Sequence, residues 1–507
     1  MATMKTKTVQ PRKSKPTSAS AKSAQSALTA VTVKVKAGRQ VQVAYLAKAR
    51  RFVAERRIHP RRLIPRVPTG VQVLDANPSH ALRLEQPVPE STARSLRAAS
   101  DNVTLLRNVQ LDDVATADTA SHVCEPSCAV NGNVVFLTGN WFASVLSDGG
   151  QTFQFVDPTS AFPNPPGQEF CCDQVVHYVK KIDTFVWLLQ YSEDASGNNV
   201  ERLAFATTAQ VGQGQWRIFD ISSQGIGFPG LFLDYPDIAV GTNMLYVTMN
   251  GFRGNGWERT VIVRIPLAAI KSGNISAQTL TTQENFNFRV AQFCGTTAYW
   301  ASHNTNSQIR VYKWRESSAT ATTKDVDVAT WEEGNYSSTT PDGRNWLQRA
   351  DGRMTGATLA NGELWFAWTS NKGGANNRPQ PFVQIARLKA STLAVLENIN
   401  VWDPGSGIAF AALSTNSNNE VGVSYLIGGG ARFPSHVVGI LTGTRREVTT
   451  FAGTRGPSDN KWGDYLCVRR AYPQQKIFAA TGFTLQGGSG QRDATPNFTT
   501  FGRSSDV

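Results

Sequence analysis

Acidic residues recur in this chain at one kind of position, just before or at the start of a short run of small apolar residues. Glu125 precedes SCAV, Asp173 leads into QVV, Asp234 and Asp237 flank Tyr235 and Pro236 ahead of IAV, and Asp464 stands before YLCV. Arg353 and Arg289 hold the same position ahead of MTGATLA and VAQFC, and Gln174, His177, Arg349, Asp351 and Tyr465 stand beside them. Residues so scattered act together only if the fold gathers them, and carboxylates gathered in one funnel repel unless arginine or a cation balances them. A pair of them could serve as acid and base or nucleophile on a glycosidic bond. Alternatively, three or four with backbone carbonyls could hold Ca²⁺, although the chemistry requires no cofactor. Glu125, Asp173, Asp234, Asp237 and Asp464 are the candidate catalytic residues. Arg289, Arg353, Tyr235, Tyr465 and His177 are the candidate substrate-binding residues. The plainer role for the acids is to cap turns and bond backbone amides at strand entrances.

Other residue types say less. His122, His177 and His303 lack metal-ligand spacing; as bases they would suit a lyase that removes a proton from a uronic acid, with a tyrosine as acid. Trp141, Trp257, Trp331, Trp346 and Trp462 fall in loops or at strand ends, where a tryptophan either stacks on sugar rings or fills gaps between sheets. A phosphate-binding glycine loop, a nucleophile elbow and an HExxH helix are all missing. GFRGNG at 251–256 follows no strand-to-helix pattern and reads as a loop.

The elements that must position these residues repeat. From about residue 123 a polar start, a small-apolar strand, a Gly, Asn or Asp turn and an aromatic strand return every 45–60 residues. The starts lie at 124–138, 172–191, 234–249, 289–301, 353–368, 409–425 and 464–482. Repeats of four strands at this length are propeller blades, whose radial closure removes exposed sheet edges. The prediction is an all-β fold, a β-propeller of seven blades with six as the alternative, over 123–507. Helix-length periodic segments are missing, which excludes an α-solenoid; PLAAIKSG at 266–273 is a short turn at most. Residues 67–122 are expected to wrap the propeller or supply a closing strand. In a propeller the inner strands begin at one face, so the polar starts converge there.

Residues 146–153, LSDGGQTF, are similar to the Asp-box, with Asp148, Gly150, Thr152 and Phe153 fitting and Leu146 departing at the first position. That motif is a hairpin turn between outer strands, with an aromatic plug between blades. The wider set EPSCAVNGNVVFLTGNW, FCCDQVVHY, LDYPDIAV, NWLQRADGRMTGA and WGDYLCVRR resembles a group of bacterial sialidase-like propeller proteins over about 120–490. The resemblance implies the propeller fold more firmly than an activity. Sialidases hold a substrate carboxylate with three arginines, the first commonly in an Arg-Ile-Pro motif near the start. Here Arg264-Ile265-Pro266 lies mid-chain at the end of an outer strand and reads as coincidence.

The net charge of +13 is uneven. Residues 1–66 hold 17 Lys and Arg against the single acid Glu55, a net +16, which leaves −3 for the rest. This Lys, Ser, Thr, Ala and Pro-rich tail buries too little apolar area to offset chain entropy and is expected to be disordered, with an amphipathic helix over 40–58. Its partner would be a polyanion, held weakly and released by salt. It carries no recognisable secretory signal peptide, and no transmembrane segment of about 18 apolar residues occurs in the chain, so the compartment is left open. The spacing of the six cysteines fits no zinc ribbon, and reduced, buried thiols are expected. Together these readings describe a carbohydrate-active propeller, a glycoside hydrolase resembling sialidases that acts on a glycan or glycoconjugate at the funnel face through paired carboxylates. The alternatives are a non-catalytic glycan- or protein-binding propeller and a polysaccharide lyase.

Overall fold

Short apolar runs such as VVFLTG, TFVWLLQY and LWFAWTS are buried along their whole length. A strand of that kind needs sheet neighbours and a packed layer on both sides. Consecutive antiparallel strands supply the neighbours, and adjacent sheets supply the layers. In this computed structural model, residues 27–34, 38–47, 62–75, 102–111, 121, 123–147, 152–487 and 494–506 are described. They form seven antiparallel sheets arranged as the blades of a β-propeller.

The innermost strands, in chain order, are Ser127–Asn131, Phe170–Val179, Phe232–Val240, Arg289–Val290, Met354–Ala360, Gly407–Thr415 and Cys467–Arg470. Each opens one of the seven repeats read from the sequence, and blades 1 to 7 are numbered by them. The fourth strands are Gln154–Val156, Gln215–Ser222, Ser276–Thr282, Thr320–Asp327, Ala394–Val401, Arg446–Phe451 and, in blade 7, Val103–Gln110. Blade 7 therefore joins three C-terminal strands to one from the start of the chain, with Val109 opposite Phe498. This closes the ring by backbone hydrogen bonds, and it is the work of part of the 67–122 segment. Aromatic residues fill the wedges between blades: Phe153 packs edge-on against Phe498 at 6.4 Å. Phe153 is the aromatic of the Asp-box-like stretch; Asp148 and Gly150 of that stretch lie outside the described residues.

The N-terminal arm departs from expectation. Ala27–Thr29 pairs with the outer strand of blade 4, Val31–Lys34 with that of blade 3 and Arg39–Gln42 with that of blade 2. Leu46 then bridges Phe155 of blade 1. The predicted helix over 40–58 is thus strand in its first part, and its remainder beyond residue 47 lies outside the described residues. The physical reason is that an outer blade edge presents a row of unpaired backbone groups, which a β-branched segment such as VTVK completes whatever its solubility-biased neighbours. Among the described residues two short α-helices occur, Thr208–Gly212 and Leu267–Ser272. Among the described residues no helix is long and apolar enough to cross a membrane.

Candidate functional site

The inner strands do not enter the axial region regularly. In blade 3 the register shifts between Asp234, opposite Asn250, and Asp237, opposite Thr248. Tyr235 in that bulge takes a left-handed φ of 56°, and Glu125, before blade 1, takes 50°. Such backbone costs about 1–3 kcal/mol for a residue other than glycine, and it clusters where side chains must be re-aimed. Similar shifts occur in the inner strands of blades 5 and 6, between Met354 and Gly356 and between Ala409 and Ala412.

Most of the predicted residues come together around the axis, in two electrostatic groups. In the first, the carboxyl groups of Glu125 and Asp173 hydrogen-bond to one another. Glu125 Oε2 accepts from Asn140 Nδ2 at 2.7 Å, and Oε1 accepts from the Asp464 backbone N–H at 3.1 Å. Burial, then the Asp464 carboxylate, pushes Glu125 up to about 7 against the pull of Asn140 and Arg349. Burial, then Glu125 and Asp234, pushes Asp173 well above the carboxylate range. Burial and neighbouring carboxylates thus push both carboxyls toward the protonated form, because neither anion alone has enough compensation.

In the second group the carboxylates face arginines. Asp237 accepts from Arg289 Nη1 at 2.7 Å and lies 4.0 Å from Arg469 Nη2. Arg353 forks onto Asp351, with Nη2 to Oδ2 at 2.6 Å, and its Nη1 lies 3.8 Å from Asp464. Arg349 approaches the same Asp464 oxygen at 3.8 Å. Two tyrosines stand between the groups. Tyr235 and Tyr465 meet edge to face at 5.7 Å; the Arg353 guanidinium lies 4.4 Å from the Tyr235 ring centre, and the Tyr235 hydroxyl donates to the Asp464 carbonyl at 3.4 Å. Burial pushes both phenols up, with Arg289 and Arg353 opposing this at Tyr235 and with Asp173 and Glu125 adding to it at Tyr465. Below them an axial cavity is lined by Arg289, Arg469, Asp237, Gln292, Tyr465 and Cys467, among others.

The remaining candidates sit apart or serve the fold. His177 lies along the blade 2 inner strand, with Nε2 3.0 Å from Gln292 Oε1 and Nδ1 3.0 Å from the Tyr178 carbonyl. Burial, aided by Arg469, lowers it to about 4, so it is neutral. His303 is buried against Trp331 and Trp368 and lowered by burial to about 3, which leaves it neutral within the aromatic packing. His122 lies outside the described residues. Trp331, Trp346 and Trp462 are fully buried packing residues; Trp141 and Trp257 are half-buried. Arg264 of the Arg-Ile-Pro stretch packs 3.8 Å over Trp314 and donates to the Arg315 and Ser318 carbonyls, a structural role far from the acids in the fold. Among the described residues no cluster of His, Cys, Asp and Glu has the form of a metal site.

Four features escaped the sequence reading. Glu201, in the third strand of blade 2, is fully buried, and burial followed by Asp234 pushes it well above the usual range. Arg469 balances Asp237. Arg62 reaches the funnel face from the N-terminal segment: its guanidinium lies 3.7 Å from the Phe232 ring centre, 3.6 Å from Asp234 and 3.8 Å from Glu193, and it donates to the Gly254 carbonyl at 2.8 Å. Val67, Gly70 and Val73 continue across this face, their backbone N–H groups donating to Glu333, Asn306 and Thr330. Finally, Cys171 and Cys172, next to Asp173, form a disulfide where reduced thiols were expected; the other four cysteines are free and buried. Neighbours on a regular strand point to opposite faces, so spacing gave no reason to pair them.

No protein-family model matches this chain, and no curated protein matches it. The likeness to sialidase-like propellers therefore rests on the residues quoted above alone. Solved structures do resemble the fold. They include an α-L-arabinanase of Penicillium chrysogenum complexed with arabinobiose, at 10% identity and a TM-score of 0.38 over 78% of this chain and 98% of that one. The Neurospora crassa Pan2 WD40 domain scores 0.40 at 10% identity, over 80% and 97%. The Fusarium graminearum GH93 α-L-arabinofuranosidase with arabinobiose also scores 0.40 at 10% identity, over 80% and 99%. These proteins differ in activity, and likeness at this level carries no argument about what the chain does.

Proposed function

We propose that the chain is a carbohydrate-active propeller that hydrolyses a glycosidic bond at the axial face. The observation that carries the reading is the buried, mutually interacting Glu125 and Asp173 carboxyls, both pushed toward the protonated form by burial, beside an Asp464 that faces two arginines. Carboxyl groups in hydrogen-bond contact are closer than the ~5–5.5 Å of retaining glycosidase pairs or the ~6.5–9.5 Å of inverting ones. Glu125 and Asp173 therefore act together as one acid, giving a proton to the leaving oxygen. Asp464 is the second carboxylate, acting as nucleophile or base. Arg289 and Arg469 exceed Asp237 by one charge at the cavity wall, which suits a glycan bearing a carboxylate.

The test is a hydrolysis and binding screen of the full chain on neutral and acidic glycans, with Glu125→Gln, Asp173→Asn and Asp464→Asn alongside. Loss of hydrolysis in all three, with binding retained, is the expected result. Unchanged turnover in Glu125→Gln and Asp464→Asn would overturn the assignment. One observation favours a second reading, a non-catalytic binding propeller. The 62–75 segment lies on the axial face with Arg62 against Asp234, and Glu125 and Asp173 are only 4% and 7% exposed. Glycan binding without turnover on any substrate would favour it.

A further inference from the structure

Two cysteines outside the proposed acid chemistry meet where the ring closes. Cys128 lies in the inner strand of blade 1 and Cys467 begins that of blade 7. Their sulfurs are 4.0 Å apart across a sequence separation of 339, and the Cys128 backbone N–H donates to Cys467 Sγ at 3.5 Å. Cys467 lines the axial cavity with Ser127, Arg469 and Arg289, whereas Cys128, Cys124 and Cys294 do not. We propose that Cys128 and Cys467 are a redox-active dithiol, which a hydroperoxide entering the axial cavity oxidises to a disulfide joining the first and last blades.

The two sulfurs have different environments. In its thiol form Cys467 points its S–H at the Cys128 carbonyl, 3.7 Å away. Once ionised, its sulfur keeps the Cys128 N–H and gains the Cys128 S–H as donors. Burial alone would push Cys467 up; the Cys128 hydrogen bond and the Arg469 guanidinium outweigh it and bring the thiol below its usual range. Burial and the neighbouring sulfur push Cys128 up, so it keeps its proton. Thiolate character beside a cation, with access to a cavity, is what separates reactive from inert cysteines. Cys124 and Cys294 are raised by burial and serve as internal controls.

The electrons balance in two steps. The Cys467 thiolate attacks the terminal oxygen of the hydroperoxide, the O–O bond breaks, and the departing alkoxide takes a proton from solvent to leave as an alcohol. Cys467 is then a sulfenic acid. The Cys128 sulfur attacks the Cys467 sulfur, the S–O bond breaks, and hydroxide leaves with the Cys128 proton as water. Two thiols have given two electrons to one peroxide, and a small thiol reductant reverses the change by exchange.

The experiment uses the full chain, reduced and then freed of reductant. Equimolar hydrogen peroxide is added, remaining thiols are alkylated under denaturing conditions, and proteolytic peptides are weighed without reduction. The expected product is one cross-linked pair carrying Cys128 and Cys467, lighter by two hydrogens than the separate thiol peptides, with a higher denaturant midpoint for the oxidised chain. Brief alkylation of the reduced native chain should modify Cys467 on the order of ten times faster than Cys294. Cys128→Ser should stop at a sulfenic acid that dimedone traps on Cys467. Cys128→Ala provides the same arm should the serine perturb packing. Recovery of Cys128 and Cys467 as two separately alkylated thiols after peroxide, or equal alkylation of Cys467 and Cys294, would overturn the proposal.

Discussion

The two halves of the axial face solve the same problem in opposite ways. On one side Asp237, Asp351 and Asp464 are buried or nearly so, and each meets a guanidinium. On the other side Glu125 and Asp173 are equally buried without such a pair, and burial pushes both toward the protonated form instead. The difference teaches that an acidic funnel is two devices: fixed charge where arginine reaches, and a bias toward the protonated form where it does not. Tyr235 and Tyr465 mark the boundary.

The comparison can be broken most severely at the Glu125–Asp173 pair. Glu125→Gln removes the acid while keeping its shape and should lower kcat on a responsive glycan by about 10²–10⁴-fold, the usual worth of a general acid, with little change in circular dichroism. The fixed-charge side should respond in stability instead. Asp237→Ala leaves Arg289 and Arg469 facing each other over an apolar methyl, and urea denaturation should show a loss of about 3–5 kcal/mol. If the two effects were exchanged, with Glu125→Gln unfolding the chain and Asp237→Ala merely slowing it, the division would be wrong.

The pH dependence sharpens the same contrast. With Glu125 pushed up to about 7, the folded chain holds more protons than the unfolded one between the ordinary carboxyl range and that value. This contribution to stability is therefore present in acid and lost as pH rises through about 7, and kcat should fall over the same range. Glu125→Gln should remove that slope. A stability effect of the same sign, with no counterpart in turnover, belongs to Glu447, which burial pushes up to about 8 despite the Tyr425 hydrogen bond and Arg445. Glu447→Gln should flatten the thermal midpoint against pH up to about 8 and leave turnover untouched. Smallest is the tail. Deleting residues 1–66 should lower the salt concentration for elution from heparin by a measurable step, because the remaining chain carries a net −3. Elution at unchanged salt would locate polyanion contact on the blades.

Legibility in the sequence followed how local the cause was. The seven inner strands were readable because each pairs an apolar run with its own turn, and their common starting face made Glu125, Asp173, Asp237 and Asp464 neighbours by topology alone. Blade 4 shows how little is needed, since its inner strand is only Arg289–Val290, yet QFC and the aromatic strand after it kept the rhythm. What failed depended on distant partners. Val31–Lys34 is a strand only because blade 3 offers an edge. Arg62 joins the funnel from a stretch whose composition matches a solvated tail, and Glu201 carries no local sign that it faces inward behind Asp234. The Cys171–Cys172 bond joins residues whose strand geometry argues against it.

The reversed path of the arm has a consequence for biosynthesis. Residues 27–46 leave the ribosome before any blade, yet they dock on blades 4, 3, 2 and 1, each of which is complete only when its outer strand has emerged. Val103–Gln110 likewise waits for Ala494–Arg503. The arm is thus fully secured only after blade 4 has emerged, and Val103–Gln110 only near the end of synthesis; until then the outer rims of blades 1 to 4 lie open to a chaperone or to a neighbouring chain.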